Sequence, residues 1–143
     1  MRILVIAIIT IVFIIVGFLI YTYIIFPDLG PTVSIVEITS TNNSEKIYIK
    51  KKNWGYTGDS QVIVVSESSE KQFEPNENTE YVFKGLSPFF YSFNNDTLNL
   101  FVLSKSKVPN METNFRIIQS ELSGRDLIDL LQTFKEKGLK KIP

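Results

Sequence analysis

Twenty-four consecutive residues, Ile3 to Phe26, carry no charge, and all but Thr10, Gly17 and Thr22 are hydrophobic. As a helix rising about 1.5 Å per residue, the run would span about 36 Å, against about 30 Å for the hydrocarbon core of a bilayer. A helix that is apolar on every side has to be surrounded by apolar material, and in a chain this short lipid is the readiest source. A cleavable signal has a shorter apolar region, about 7–15 residues, followed by small residues at the cut site. Here the run ends in YTYIIFPDLGP, which has no such site. Residues 1–26 therefore read as an uncleaved transmembrane signal anchor that meets the lipid bilayer through residues 3–26. Tyr21 and Tyr23 fall where an interfacial aromatic belt would sit, and Pro27 ends the helix.

Charge sets the expected orientation. Arg2 and the α-amino group flank one side of the run, whereas residues 27–44 contain no Lys or Arg. The positive-inside rule then holds the N-terminus in the cytoplasm and exports the rest. The expectation is a single-pass protein of the inner (cytoplasmic) membrane, with residues 27–31 as a short linker and 32–143 as a periplasmic or extracellular domain. No GxxxG pattern occurs in the anchor, so it reads as a tether rather than a helix-pairing element.

Without residues 1–26, 117 residues remain, about a third of them hydrophobic, with 14 Lys or Arg against 15 Asp or Glu. That size supports one modest core, and the charge balance gives no field that would attract nucleic acid. Short β-type runs alternate with Asn, Ser, Gly and Pro clusters. The strands expected are 32–39, 45–51, 60–66, 79–84, 88–93, 97–104 and 114–121. STNNSE (40–45) and NND (94–96) are hairpin turns by composition, and 67–78 is a polar loop. In SGRDLIDLLQTFKEKG, Ser123 is a natural N-cap with Asp126 three residues on. Leu127, Leu130, Leu131 and Phe134 form one helical stripe, and Gly138 suits a left-handed stop, which predicts a helix over about 123–138. The fold expected is mainly β: an antiparallel β-sandwich or β-meander of about seven strands with one C-terminal helix packed on it. The VIVV strand (62–65) is apolar on both faces and needs cover on both. One cover is a second sheet, and the C-terminal helix is expected to supply the other.

The stretch NWGYTGDS (53–60) invites catalytic readings that the composition removes. A hydrolase serine in Gly58-Asp59-Ser60 needs a histidine to take its proton, and the chain has no histidine. GYTG precedes a strand rather than a helix, so it is not a phosphate cradle. Ser68 and Lys71 have SxxK spacing and Ser92-Phe93-Asn94 imitates an SxN element, but the SxxK lies in a charged loop and the third element of that set is missing. There is no cysteine, and no acidic cluster has EF-hand spacing. No catalytic residue, cofactor site or metal site is assigned. The sequons at 42–44 and 95–97 matter only in a eukaryotic secretory pathway, and ten Asn against one Ala suggest an AT-rich bacterial genome instead. The group best suited to binding is Lys50, Lys51, Lys52, Trp54 and Tyr56, where cations and aromatic rings together fit an anionic headgroup, a glycan or a partner surface. The competing structural reading is a hairpin end with solvated lysines and Trp54 folded onto the core.

WGYTGDSQVIVVSES (54–68), EYVFKGLSPFFYSFNNDTLNLFV (80–102) and FRIIQSEL (115–122) resemble small, N-terminally membrane-anchored β-rich proteins of Bacteroidota-type bacteria. The resemblance implies an inner-membrane anchor and a periplasmic domain, and it carries no activity with it. The functional expectation is a non-enzymatic, single-pass envelope protein whose periplasmic β domain binds another protein, expected to be of the envelope, or an envelope component. The alternative is an accessory or sensor domain for a small ligand or lipid headgroup, and the third reading is a small enzyme using only carboxylates or Ser/Lys.

Overall fold

The computed structural model describes residues 2–25, 30–42, 44–54, 60–85 and 88–142, with side chains in the first stretch at 6 and 9–25. The chain divides into two units, Met1–Gly30 and Pro31–Pro143.

The first unit is a helix, α1 (Arg2–Ile25). Its described apolar side chains are exposed, Phe13 at 74% and Tyr23 at 80%. The Thr10 and Thr22 hydroxyls donate to the carbonyls of Ile6 and Leu19, so each polar group is satisfied within the helix itself. Among the described residues no helix is long and apolar enough to cross a membrane. The expected span over 3–26 thus rests on the sequence and is not a feature of the described residues. Pro27 lies outside them.

The second unit is mainly β. Strands β1 (Thr32–Thr39), β2 (Lys46–Trp54), β3 (Ser60–Ser66) and β4 (Tyr81–Lys84) form an antiparallel four-stranded sheet in that order. Strands β5 (Phe90–Asn94), β6 (Thr97–Val102), β7 (Arg116–Glu121) and β8 (Lys140–Lys141) form a second sheet, ordered β7-β6-β5-β8. The sheets face each other in the manner of a β-sandwich. Ile47, Ile49, Ile63, Val65 and Tyr81 from the first meet Tyr91, Leu98, Leu100 and Val102 from the second in one core. The alternation along β2 follows directly: Ile47 and Ile49 are fully buried between the sheets, while Lys50, Lys52 and Trp54 take the opposite face.

Asn95 and Asp96 adopt positive φ (46° and 54°) and turn β5 into β6, as their residue types predict. The Asp96 carboxylate then accepts from Thr41 and Asn42 in the β1–β2 turn, joining the two hairpin tips. Partial burial alone would raise its pKa, but hydrogen bonds from Thr41, Ser40 and Asn42 outweigh this and hold it below the usual carboxylate range. Glu45 makes a second tie, accepting from Thr113 and Asn114.

Several expectations need correction. Among the described residues there are eight strands, the seven expected and one more, because Lys140 and Lys141 pair with Tyr91 and Phe90. The sheets are not wholly antiparallel, since β6 and β7 run parallel and need a crossover, which residues 103–115 supply. Strand β2 runs on to Trp54 instead of ending at 51.

The C-terminal helix α2 is Gly124–Thr133, shorter than 123–138. The Ser123–Asp126 capping box forms, and Gly138 has φ +67° five residues beyond the helix end. Of the stripe, Leu130 is buried but Leu131 is 43% exposed. Helix α2 does not cover the VIVV strand. Phe134, just past its end, meets the fully buried Phe90 with ring centroids 5.4 Å apart, so this segment covers the outer face of the second sheet.

Candidate functional site

The outer face of the first sheet is where the sequence placed its binding group. Val62 and Val64 on β3 and Val82 on β4 turn outward there, next to Val33 and Trp54. Water would penalise this apolar surface, and its cover is Phe73, 8% exposed, from the loop between β3 and β4. The loop read from the sequence as polar therefore folds back as a lid.

Two lysines lie under that lid. Lys50 is 1% exposed, with Nζ 3.6 Å from a Glu80 carboxylate oxygen and 4.6 Å from the Phe73 ring centroid. Burial lowers its pKa, against an opposing pull from Glu80. Glu80 is fixed in turn by accepting from the Asn76 N–H at 3.2 Å. Lys52 donates to the Phe73 carbonyl and to Glu74, each at 3.2 Å, and lies 4.8 Å from the Trp54 ring centroid. Each lysine thus lays its methylene stem on the sheet and uses its ammonium to hold the loop.

The five residues singled out from sequence do not form one surface. Lys50, Lys52 and Trp54 share the outer face. Lys51, with the opposite strand parity, lines a small cavity of about 130 Å³ with Gln61, Phe89 and Lys141. Tyr56 lies outside the described residues, as do Gly58 and Asp59. The reading of solvated lysines is corrected at Lys50 and Lys52, both buried by the lid. Trp54 is half-buried and packs against the outer cluster.

Phe73, Glu74 and Glu80 complete the arrangement, and sequence reasoning missed all three. A usable signal was present: one phenylalanine in an otherwise polar loop, opposite two lysines in strand register with an apolar strand.

Beside the lid lies an open groove of about 600 Å³, lined by Pro31, Val33, Lys52, Lys71, Phe73 and Glu74 among others. Its floor is apolar, with two cations and one carboxylate around it. The pieces of the Ser/Lys reading stay apart. Ser68 accepts from the Glu70 N–H in the lid loop, whereas Ser92 lies on β5 and accepts from Asn99. Ser60 opens β3 opposite Trp54. Among the described residues no three His, Cys, Asp or Glu side chains gather as a metal site would require. No protein-family model matches the chain, and neither a curated protein nor a solved structure does.

Proposed function

We propose that this protein is a membrane-tethered, non-enzymatic interaction module of the cell envelope, single-pass through residues 3–26, with its β domain on the periplasmic or extracellular side. The observation that carries the reading is α1. It forms a unit of its own whose described apolar side chains are all exposed, with its threonine hydroxyls satisfied internally. An apolar surface of that extent in water is a liability, whereas lipid covers it at no cost to the domain. The experiment is fractionation of cells making the full chain. It should stay with membranes through an alkaline carbonate wash and leave only with detergent, and release by carbonate would end the reading.

One observation favours a second reading. The groove beside Phe73 has the size of a ligand site, and Lys52 and Lys71 line its apolar floor. A small anionic ligand or a lipid headgroup matches that chemistry. Binding of vesicles containing phosphatidylglycerol, but not of phosphatidylcholine vesicles, by the β domain would support it.

A further inference from the structure

Each sheet has two edges, and the chain treats them differently. At β4 the Val82 N–H donates to the Ser106 hydroxyl, and just ahead of the strand the Asn110 N–H donates to the Asn78 carbonyl, both at 2.8 Å. Beside β7 the Gln119 side chain bonds the backbone of Ser106 twice, at 2.7 and 3.0 Å, which brings the 103–115 crossover against that strand. Strand β8 is two residues long and both are lysines, the short, charged form of edge that resists pairing.

Among the described residues, strand β1 has none of these features. It is eight residues long, TVSIVEIT, without lysine or proline, and its register with β2 runs unbroken from Thr32↔Asn53 to Thr39↔Lys46. The direction of its backbone follows from one bond. The Ser40 N–H donates to the Glu45 carbonyl at 2.8 Å, which makes Ser40 and Glu45 a hydrogen-bonded pair. Antiparallel pairs alternate, so Ile38, Val36 and Ser34 aim their amides at β2, and Thr39, Glu37, Ile35 and Val33 aim theirs away from the sheet. Among the described residues, none of those four N–H or four C=O groups has a hydrogen-bond partner in the fold.

We propose that this edge is completed by β1 of a second copy, paired antiparallel about a two-fold axis through Val36. The proposal rests on the interaction-module reading, in which the tether gathers copies in one plane. Geometry selects the register. To keep the inner face continuous, a two-fold axis must place residues of the same strand parity opposite each other. Centring on Glu37 sets that carboxylate against itself. Centring on Ile35 wastes one pair on Pro31, which has no N–H. Centring on Val36 sets Ile35 opposite Glu37 and Val33 opposite Thr39, twice over, so every outward group is used. Glu37 already has Lys46 at 2.7 Å to offset its charge. The two first sheets then become one eight-stranded sheet, with Val36 against its own copy beside the core that it packs on.

The chain has no cysteine, so introduced cysteines report contacts without background. In membranes holding the full chain, Val36→Cys should oxidise to a disulfide dimer, because non-hydrogen-bonded partners lie about 4.5 Å apart at Cα, within disulfide reach. Ile35→Cys alone should not, since two copies of Ile35 would be about 8 Å apart, beyond the limit near 7 Å. Ile35→Cys co-expressed with Glu37→Cys should give the mixed dimer. Ile35→Pro, which removes an outward N–H and no β2 bond, should cut the Val36→Cys dimer at least tenfold. Should that proline variant fail to fold, the cysteine pairs decide alone. Monomeric Val36→Cys together with an uncrosslinked Ile35/Glu37 mixture overturns the proposal, as does a Val36→Cys disulfide to a different protein. Failure here with carbonate-resistant membrane retention leaves the tethered-module reading standing, and a specific dimer of a carbonate-released chain does the reverse.

Discussion

The outer faces of the two sheets pose one physical problem and receive different answers. The second sheet turns Phe90 outward and covers it with the α2 segment through Phe134. The first turns Val62, Val64 and Val82 outward and covers them with one loop phenylalanine and the stems of two lysines. A helix brings its own hydrogen bonds and an apolar stripe. A loop has to be held, and here ammonium groups hold it, Lys52 on the Phe73 carbonyl and Lys50 beside Glu80. The helix cover is mostly hydrophobic, and its titrating group is the cap, where bonds from Ser123 hold Asp126 below the usual carboxylate range. The loop cover instead places its titrating group, Lys50, beneath the lid.

The comparison breaks most visibly if each cover is cut. Phe90→Ala should cost about 3–5 kcal/mol, the usual cost of removing a fully buried ring, and Phe73→Ala about 3 kcal/mol. Denaturant unfolding of each variant measures both. Only Phe73→Ala should also expose Lys50 and Lys52 to an amine-reactive label. If Phe90→Ala raises their labelling as much, the two covers are one cooperative unit.

Cutting the ionic part comes next. Glu80→Ala leaves a buried ammonium without its carboxylate, which should cost about 2–3 kcal/mol. The cost is capped because Lys50 escapes by releasing its proton. Lys50→Met keeps the stem, removes the charge and should be neutral or stabilising by about 1 kcal/mol. Melting temperatures of the two variants at neutral pH test this, and a large loss in Lys50→Met would show that the pairing with Glu80 outweighs the cost of burying the ammonium.

Much of this architecture was legible. β1 and β3 follow their predicted bounds because both are bracketed by turn residues and dense in β-branched side chains. The Asn95-Asp96 turn and the Ser123–Asp126 cap were readable because those side chains act on their own backbone within a few residues. What was not legible is long-range. The cover over β3 depends on Phe73 returning across the sheet to β2, and β8 depends on Lys140 and Lys141 meeting β5. The parallel β6–β7 pair depends on the path of residues 103–115. The lysine run was noticed for its charge, but strand parity divides it, sending Lys50 and Lys52 outward under the lid and Lys51 to the other face.

A smaller effect comes from pH. Burial lowers the pKa of Lys50 in the folded state, so the unfolded chain binds more protons between that value and the ordinary 10.5. Stability contributed by Lys50 therefore rises with pH across that window and is reduced below it. Tyr81 and Tyr91 have pKa values raised by burial and act in the opposite direction above pH 10. The difference between the wild type and Lys50→Met isolates the lysine. Chemical denaturation from pH 7 to 10 should show wild type gaining on the variant, and parallel curves would mean that Lys50 keeps its proton at no penalty.

The smallest effect belongs to the helix side. Four residues share a helical stripe by spacing, which alone makes Leu131→Asp a severe change. The fold sorts them differently. A helix resting on a sheet buries a narrow strip, here Leu130 at 6% exposure, while Leu131, about 100° further round the helix, is 43% exposed. An aspartate at 131 keeps its water and loses only part of one leucine's contact, so the cost should be within about 1 kcal/mol. Leu130→Asp instead buries a charge between the helix and the sheet and should cost several times more. Thermal melts of the two variants side by side read the rotation of α2 on the second sheet. Equal losses would mean that the helix sits rotated toward Leu131 and that its cover is as broad as the one Phe73 gives the first sheet.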